Sequence, residues 1–439
     1  MNDETRESVM GHYRWVICTL LFFATTVNYI DRQILSLLKE TLDRELHWTN
    51  EQFGQVNAVF QASYAIGLLL FGPFIDRFGT KIGYATSIAA WSLAAAGHAL
   101  VGNIGGFFMA RGALGLGEGG NFPSAIKAVA LWFPKRERAF ATAIFNSGTN
   151  VGAIIAPAIV PWLAFTWGWR SAFVAAGIAG MIWLVFWIPF YNVPEKIHGL
   201  TRAELDHIRS DQPDLGTAGR TRWSTLLRYP QTWSFIMGKF LTDPVWWFFL
   251  IWLPDFFKKT RHLDIKHSWF LIATIYGIIS VLSIMGGWVP GYLTRRGMAI
   301  SRARKVAMLT FAICVIPIVF VTKVSDWGAV FLIGFAGAAH QAWSANLFTS
   351  ASDMFPKRAL ASVVGLGGMA GSLGGIMFPI YTGKLLDAFE AKGNASAGYA
   401  ILFVICGSAY LIAFAVNHLL APRFDPIEIV DRPDTAKAT

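Results

Sequence analysis

Seven ionisable side chains stand where a lipid-facing helix would not hold them. They are Asp31 and Arg32 in "NYIDRQ", Arg111, Glu118 and Lys127 in "ARGALGLGEGGNFPSAIK", and Lys239 and Asp243 in "GKFLTD". Each lies in a long apolar run. At a bilayer centre each would cost about 2.5–3.5 kcal/mol on insertion scales, so they are expected to face a cavity or one another. Arg111 and Glu118 are two helical turns apart and share a face. Counting about 1.5 Å per residue from the outer ends of the runs puts Asp31, Arg32 and Arg111 at similar depth, with Glu118 nearer the midplane. Two acid–base pairs, Asp31 with Arg111 and Arg32 with Glu118, would then line one cavity. A guanidinium takes a carboxylate in bidentate fashion. A neighbouring acid, opposed in its charged form by burial and favoured in it by arginine, can gain or lose a proton as the cavity closes or an anion arrives. Asp31 and Glu118 are therefore the proton-coupling candidates, with Arg111 biasing Asp31. The plainer outcome is a set of static ion pairs holding two helices together.

Uncharged polar residues in the same runs are candidates for ligand contact. Tyr29 lies three residues before Arg32, and Tyr64 lies in "QASYAIG"; packing is the commoner role of a lone tyrosine, and a phenol can also bind a carboxylate or hydroxyl. Asn150 in "FNSGTNVGAIIAP" can add a hydrogen bond. In "AHQAWSAN", Gln341, Trp343 and Ser344 suit hydroxyl recognition and stacking on a ligand face, while His340 reads more readily as structural. Lys239 and Asp243, four apart, can pair along one helix face and act as gating elements. Lys127, near a helix end, can snorkel.

The elements that must position these residues follow from composition. Hydrophobic residues make up 54% of the 439 and charged residues 15%, the profile of a polytopic membrane protein. Twelve windows are long and apolar enough to cross a bilayer, near 15–38, 53–75, 84–102, 106–132, 138–163, 171–191, 231–257, 268–293, 306–322, 327–354, 360–383 and 398–420. The fold class is all-α. Most of the 37 Lys and Arg residues fall on one side if both termini are cytoplasmic, so that topology is expected. The same bias accounts for the net charge of +10, which makes nucleic acid a poor partner for this chain. The hydrophilic start and long first run read as a retained anchor rather than a cleaved signal. Cys18, Cys314 and Cys406, at unrelated spacings in apolar runs, indicate neither disulfide framework nor metal site. No HExxH, nucleophile elbow or Cys/His cluster is present, so no cofactor, metal or enzymatic chemistry is expected.

The chain repeats internally. "WFPKRERAFATAIFNSGTNVGAIIAPAI" from Trp132 matches "MFPKRALASVVGLGGMAGSLGGIMFPI" from Met354, and "GPFIDRFGTKIG" from Gly72 matches "GYLTRRGMAISRARK" from Gly291. The organisation read from this is a tail at 1–13, a six-helix bundle at 14–191, a linker at 192–229, a second bundle at 230–421 and a tail at 422–439. The linker is expected to carry one amphipathic helix from Thr201 to Arg209.

"GPFIDRFGTKIG" resembles the loop signature of the major facilitator superfamily. "NYIDR", "ARGALGLGEGGNFP", "WFPKRERA" and "AHQAWSAN" are similar to its anion:cation symporters, which include bacterial hexuronate and galactonate carriers and the animal sialic-acid and vesicular glutamate carriers. The resemblance covers the whole chain. It implies a multi-pass inner-membrane carrier, a monomer, in which Arg32 with Tyr29 and Tyr64 holds an organic anion and Asp31, Arg111 and Glu118 couple protons. It also implies a charge latch on the inner side from Asp76, Arg77, Lys135 and Arg136. The eleventh run lacks the Asn that sugar-acid carriers often have there, which counts against galactonate, and "GAIIAP" departs from the antiporter pattern. The expectation is proton symport of a hexuronate such as glucuronate or galacturonate by alternating access. Carriage or exchange of another aldonate, aldarate or aromatic carboxylate is the alternative; a membrane-embedded enzyme and a channel are the more distant ones.

Overall fold

The computed structural model describes residues 11–48, 50–197, 200–211, 221–261 and 265–429. Among them there is no strand. Twelve long elements follow in chain order: α1 Tyr13–Leu37, α2 Asn50–Phe78, α3 Thr80–Gly97, α4 in two pieces Ile104–Glu118 and Asn121–Trp132, α5 Lys135–Trp167 and α6 Arg170–Phe190. The second half comprises α7 Pro230–Arg261, α8 Ile265–Arg295, α9 Ile300–Val315 with a 3-10 extension Ile316–Lys323, α10 Asp326–Met354, α11 Leu360–Glu390 and α12 Ala395–Leu420. Eight of these are long and apolar enough to span a bilayer outright. The other four are α1, α3, α4 and α10, and three of them carry the polar residues singled out above: α1 and α10 are the more polar for it, and α4 is interrupted.

The duplication is visible in packing. In the first half α1 packs on α5, α2 on α4 and α3 on α6; in the second α7 packs on α11, α8 on α10, and α12 on α9 with its extension. The halves meet where α2 lies against α11 and α5 against α8. The break in α4 comes from a close approach. A Cβ on Gly119 would lie 2.3 Å from the backbone of Gly67, so only glycine lets α4 settle onto α2 at this depth. That contact carries Arg111 and Glu118 toward α1.

The face bearing the linker is heavily tied. The linker helix Arg202–Arg209 is capped by Thr201. Its buried Glu204 accepts hydrogen bonds from the backbone N–H groups of Tyr13 (3.1 Å) and Arg14 (3.0 Å), at the start of α1. Asp211 accepts from the N–H groups of Lys135 (2.7 Å) and Arg136 (3.2 Å), at the start of α5. Carboxylates placed so satisfy orphan donors and oppose the positive ends of the helix dipoles. The described start of the segment expected as a tail after 421 is also held: Phe424 N–H donates to Ser301 Oγ at 2.8 Å and Ile427 N–H to the Met354 carbonyl at 2.8 Å. Residues 1–10 and 430–439 and parts of the linker lie outside the described residues.

Candidate functional site

Between the halves lies a narrow polar cavity of about 70 Å³. From the first half it is lined by Tyr29, Arg32, Tyr64, Leu68, Phe122 and Asn146. The second half contributes, among others, Lys239, Asp243, Trp246, Trp247, His340, Gln341 and Ser344.

Arg32 is the central charged group of the first-half wall. Its Nε donates to Glu118 Oε2 at 2.7 Å, its guanidinium carbon sits 4.5 Å from the centre of the Tyr64 ring and 5.0 Å from that of Tyr29, and Nη2 has no hydrogen-bond partner among the described residues. An aromatic cradle stabilises the cation while leaving an edge available for a carboxylate. Glu118 is 0% exposed and lies behind Arg32, one oxygen unpartnered among the described residues.

The second expected pair differs. Asp31 and Arg111 are both buried, but neither carboxylate oxygen of Asp31 has a hydrogen-bond partner among the described residues, nor do Nε and Nη2 of Arg111. They act on each other through space rather than as a formed ion pair. Arg111 instead lies 5.4 Å from the centre of the Phe60 ring, the ring that Arg32 approaches at the same distance.

Two expected ligand contacts are revised, and one residue expected to be structural gains a second role. Trp343 is fully buried against Tyr410, edge to face at 5.8 Å, and does not line the cavity; α10 is buried along its whole inner length, so the spacing could not say which side faces the ligand. Trp246 and Trp247 of α7 supply the cavity's indoles instead. Asn150 is buried one turn beyond the lining, and Asn146 takes its place, donating from Nδ2 to Gln341 Oε1 across the two halves. His340, stacked on Trp246 at 5.2 Å and bonded to the Tyr410 hydroxyl, both packs and lines the cavity.

The linker face closes the cavity from one side. Asp76 at the end of α2 accepts from the N–H groups of Ala361 (3.2 Å) and Ser362 (2.8 Å) at the start of α11, from Ser362 Oγ (2.6 Å) and from Lys127 Nζ (2.7 Å). Asp353 at the end of α10 accepts from Arg304 and from Arg138 Nη1 at 3.4 Å, while Lys135 Nζ reaches its carbonyl at 3.3 Å. The sequence does not single out Lys127, Ser362, Arg138, Arg304 and Asp353 for this role; as charges or hydroxyls at helix ends they read as ordinary one-sided charge. Arg77 stands outside the network, over Phe78 at 5.0 Å, and Arg136 bonds His207 of the linker at 3.1 Å rather than the other half. Below the cavity Phe122 and Phe348 stack across the halves at 5.6 Å. On the opposite face the described ion pairs Arg170–Glu45, Lys259–Glu390 and Arg261–Asp326 each stay within one half.

Two pseudo-equivalent six-helix halves around a polar central cavity are the architecture of a membrane transporter rather than an enzyme. The sequence model of the Major Facilitator Superfamily matches residues 21–379, and the chain belongs to that superfamily. It is 31% identical over 421 residues to the hexuronate transporter of Escherichia coli strain K12, covering 95% of this chain and 96% of that one. A galacturonate transporter of Dickeya chrysanthemi is 32% identical over 281 residues, 63% of this chain and 81% of the relative. Among solved structures, a proton:xylose symporter bound to 6-bromo-6-deoxy-D-glucose shares the fold with a TM-score of 0.72 at 15% identity, over 94% of this chain and 97% of that one.

Proposed function

We propose that the chain is a proton-coupled symporter that brings a sugar acid, a hexuronate such as galacturonate or glucuronate, into the cell. The observation that carries this is Arg32: a cation on the cavity wall whose charge is already neutralised by the buried Glu118 at 2.7 Å. A substrate carboxylate gains little from a guanidinium that is paired, and a proton on Glu118 dissolves that pair. Anion and proton therefore bind together, and the loaded carrier differs from the empty one by both. Asp31, beside Arg111, supplies the second titratable group of the same cluster. Tyr29 and Tyr64 flank the carboxylate; Gln341, Ser344 and Asn146 meet hydroxyls; Trp246 and Trp247 give the sugar ring an apolar face.

The two halves rock about this site. The linker-face contacts of Asp76 and Asp353 hold one mouth shut, and the proton and substrate bind from the other. We assign the linker face to the cytoplasm of the inner membrane on the one-sided placement of Lys and Arg, with a single chain as the transporting unit. The likeness to a hexuronate transporter over nearly the full length supports the substrate class. Uptake of radiolabelled galacturonate into proteoliposomes tests the reading. Accumulation is expected only with an inward proton gradient; accumulation that survives collapse of both pH gradient and membrane potential would overturn it. Competition with aldonates, aldarates and aromatic acids in the same assay tests the substrate against its alternatives.

A further inference from the structure

One buried ion pair of the cavity has no part in that mechanism. Lys239 and Asp243, one turn apart on α7, pair at 2.7 Å, with side chains 7% and 18% exposed. They belong to the cavity wall and take no part in the described contacts of the linker face, where a gating role would have placed them. Both are seated. Lys239 Nζ lies 4.3 Å from the centre of the Phe348 ring, and Asp243 rests on Gly371 of α11, where a Cβ would come within 2.3 Å of Oδ2. Desolvating two charges is costly, and an apolar pair would fill the same wall without that penalty.

The balance of charge in the cavity gives the pair a use. Arg32 on the first half is cancelled by Glu118, and Lys239 on the second half by Asp243. Each cation attracts an anion only after its own acid has taken a proton. A monocarboxylate requires one such unit, and the cavity has two, on opposite halves. Resting on the sugar-acid reading above, we infer that Lys239 and Asp243 form a second proton-gated anion subsite, which takes the second carboxylate of a six-carbon sugar dicarboxylate. The number of protons carried then follows the number of carboxylates on the substrate. In the step itself Asp243 takes one proton from the phase to which the cavity is open and releases Lys239, whose ammonium receives the carboxylate. On the other side the carboxylate leaves, the proton departs and the pair reforms. Asp243 is faced by Lys239 on its own helix, by Tyr29, Tyr64 and Arg32 from the first half and by Tyr410 from α12, while His340 of α10 faces Lys239.

Galacturonate and galactarate, the open-chain dicarboxylate formed by oxidising its aldehyde carbon, test this in proteoliposomes. Wild-type protein is expected to carry both, and reversal-potential measurements should show galactarate moving with one proton more. In Lys239→Gln the ratio of galactarate to galacturonate uptake is expected to fall by about tenfold or more, the scale on which removing one partner of a buried charged pair weakens binding. Lys239→Arg, which keeps the cation, should restore the ratio. In Asp243→Asn galactarate should move with one proton fewer than in wild type. A purely structural pair would lower both uptakes together and leave the ratio and the stoichiometry unchanged, and that result would overturn the assignment. So would a wild-type protein that carries galacturonate and neither binds nor carries galactarate. Failure to carry galacturonate itself would instead strike at the sugar-acid reading beneath it.

Discussion

Arg32 and Glu118 join α1 to α4 through a 2.7 Å contact in which the arginine is 11% exposed and the glutamate not at all. Arg32 lines the cavity and Glu118 does not, so the cation stands between the cavity and the acid it neutralises. Whatever binds the arginine from the cavity changes the environment of the acid, and a proton on the acid changes the arginine's availability.

Replacing Glu118 by Gln removes the titratable group and keeps its shape. Concentrative uptake of galacturonate is expected to vanish while exchange of external for internal galacturonate persists. Equal loss of both would count against a proton role for Glu118.

The sign of the pH dependence follows from the same pair. Protonation of Glu118 frees Arg32, so acidifying the outside should lower KM for galacturonate in wild type. In Glu118→Gln, where the residue is neutral at every pH, KM should be flat across the same range. A wild-type KM that rises on acidification would reverse the proposed order of events.

Arg32→Lys keeps one positive charge and loses the planar fork and its stacking on Tyr29 and Tyr64. The expected result is a rise in KM of about tenfold or more, since a bidentate, stacked arginine is not matched by a point charge. An unchanged KM would place the carboxylate elsewhere.

Asp76→Ala strips α11 of its cap and leaves Lys127 buried without its acid. The closed linker face should open: with spin labels on cysteines at positions 77 and 296, the population at longer distance is expected to grow about tenfold, the change that about 1.4 kcal/mol produces. An unaltered distance distribution would show that the latch is not limiting.

Trp343→Ala separates the expected role of this residue from the observed one. Its indole is wholly buried against Tyr410, so the change should cost about 3–5 kcal/mol of stability, as for large core truncations. The melting temperature is expected to respond more than KM.

Much of this molecule is legible in its amino-acid sequence. Charge inside an apolar run is costly, so Asp31, Arg32, Arg111 and Glu118 announce themselves, and the recurrence of "FPKR" and the Gly72/Gly291 loops shows the duplication. Arg32 and Glu118 meet as expected although Glu118 lies deeper, because the long arginine side chain spans the difference in depth. Where depth is insufficient, the reading stops. Asp31 and Arg111 share a level but not a contact, because rotation about the helix axis is set by packing on Phe60. Along α10 nearly every residue is buried, so no polar stripe distinguishes Gln341, which lines the cavity, from Trp343, which does not. The latch is hardest to read, since the main partners of Asp76 include backbone N–H groups of α11, which have no letter of their own, and since Arg138 and Arg304 are indistinguishable by type from other inner-side cations.

The linker's grip on α1 and α5 makes the two copies of the ancestral unit unequal. In the second copy Arg295 and Arg296 stand where the first has Asp76 and Arg77, so that loop offers the start of α5 no acid, and Asp211 of the connecting segment supplies one. The connecting segment up to Asp211 is therefore a working part of the N-terminal copy. If the protein is made as two separate polypeptides, a cut after Asp211 should give fragments that reassemble and carry substrate, whereas a cut at Asn192, where the sixth helix gives out, should leave α1 and α5 with bare amino ends and a fragment that fails to accumulate.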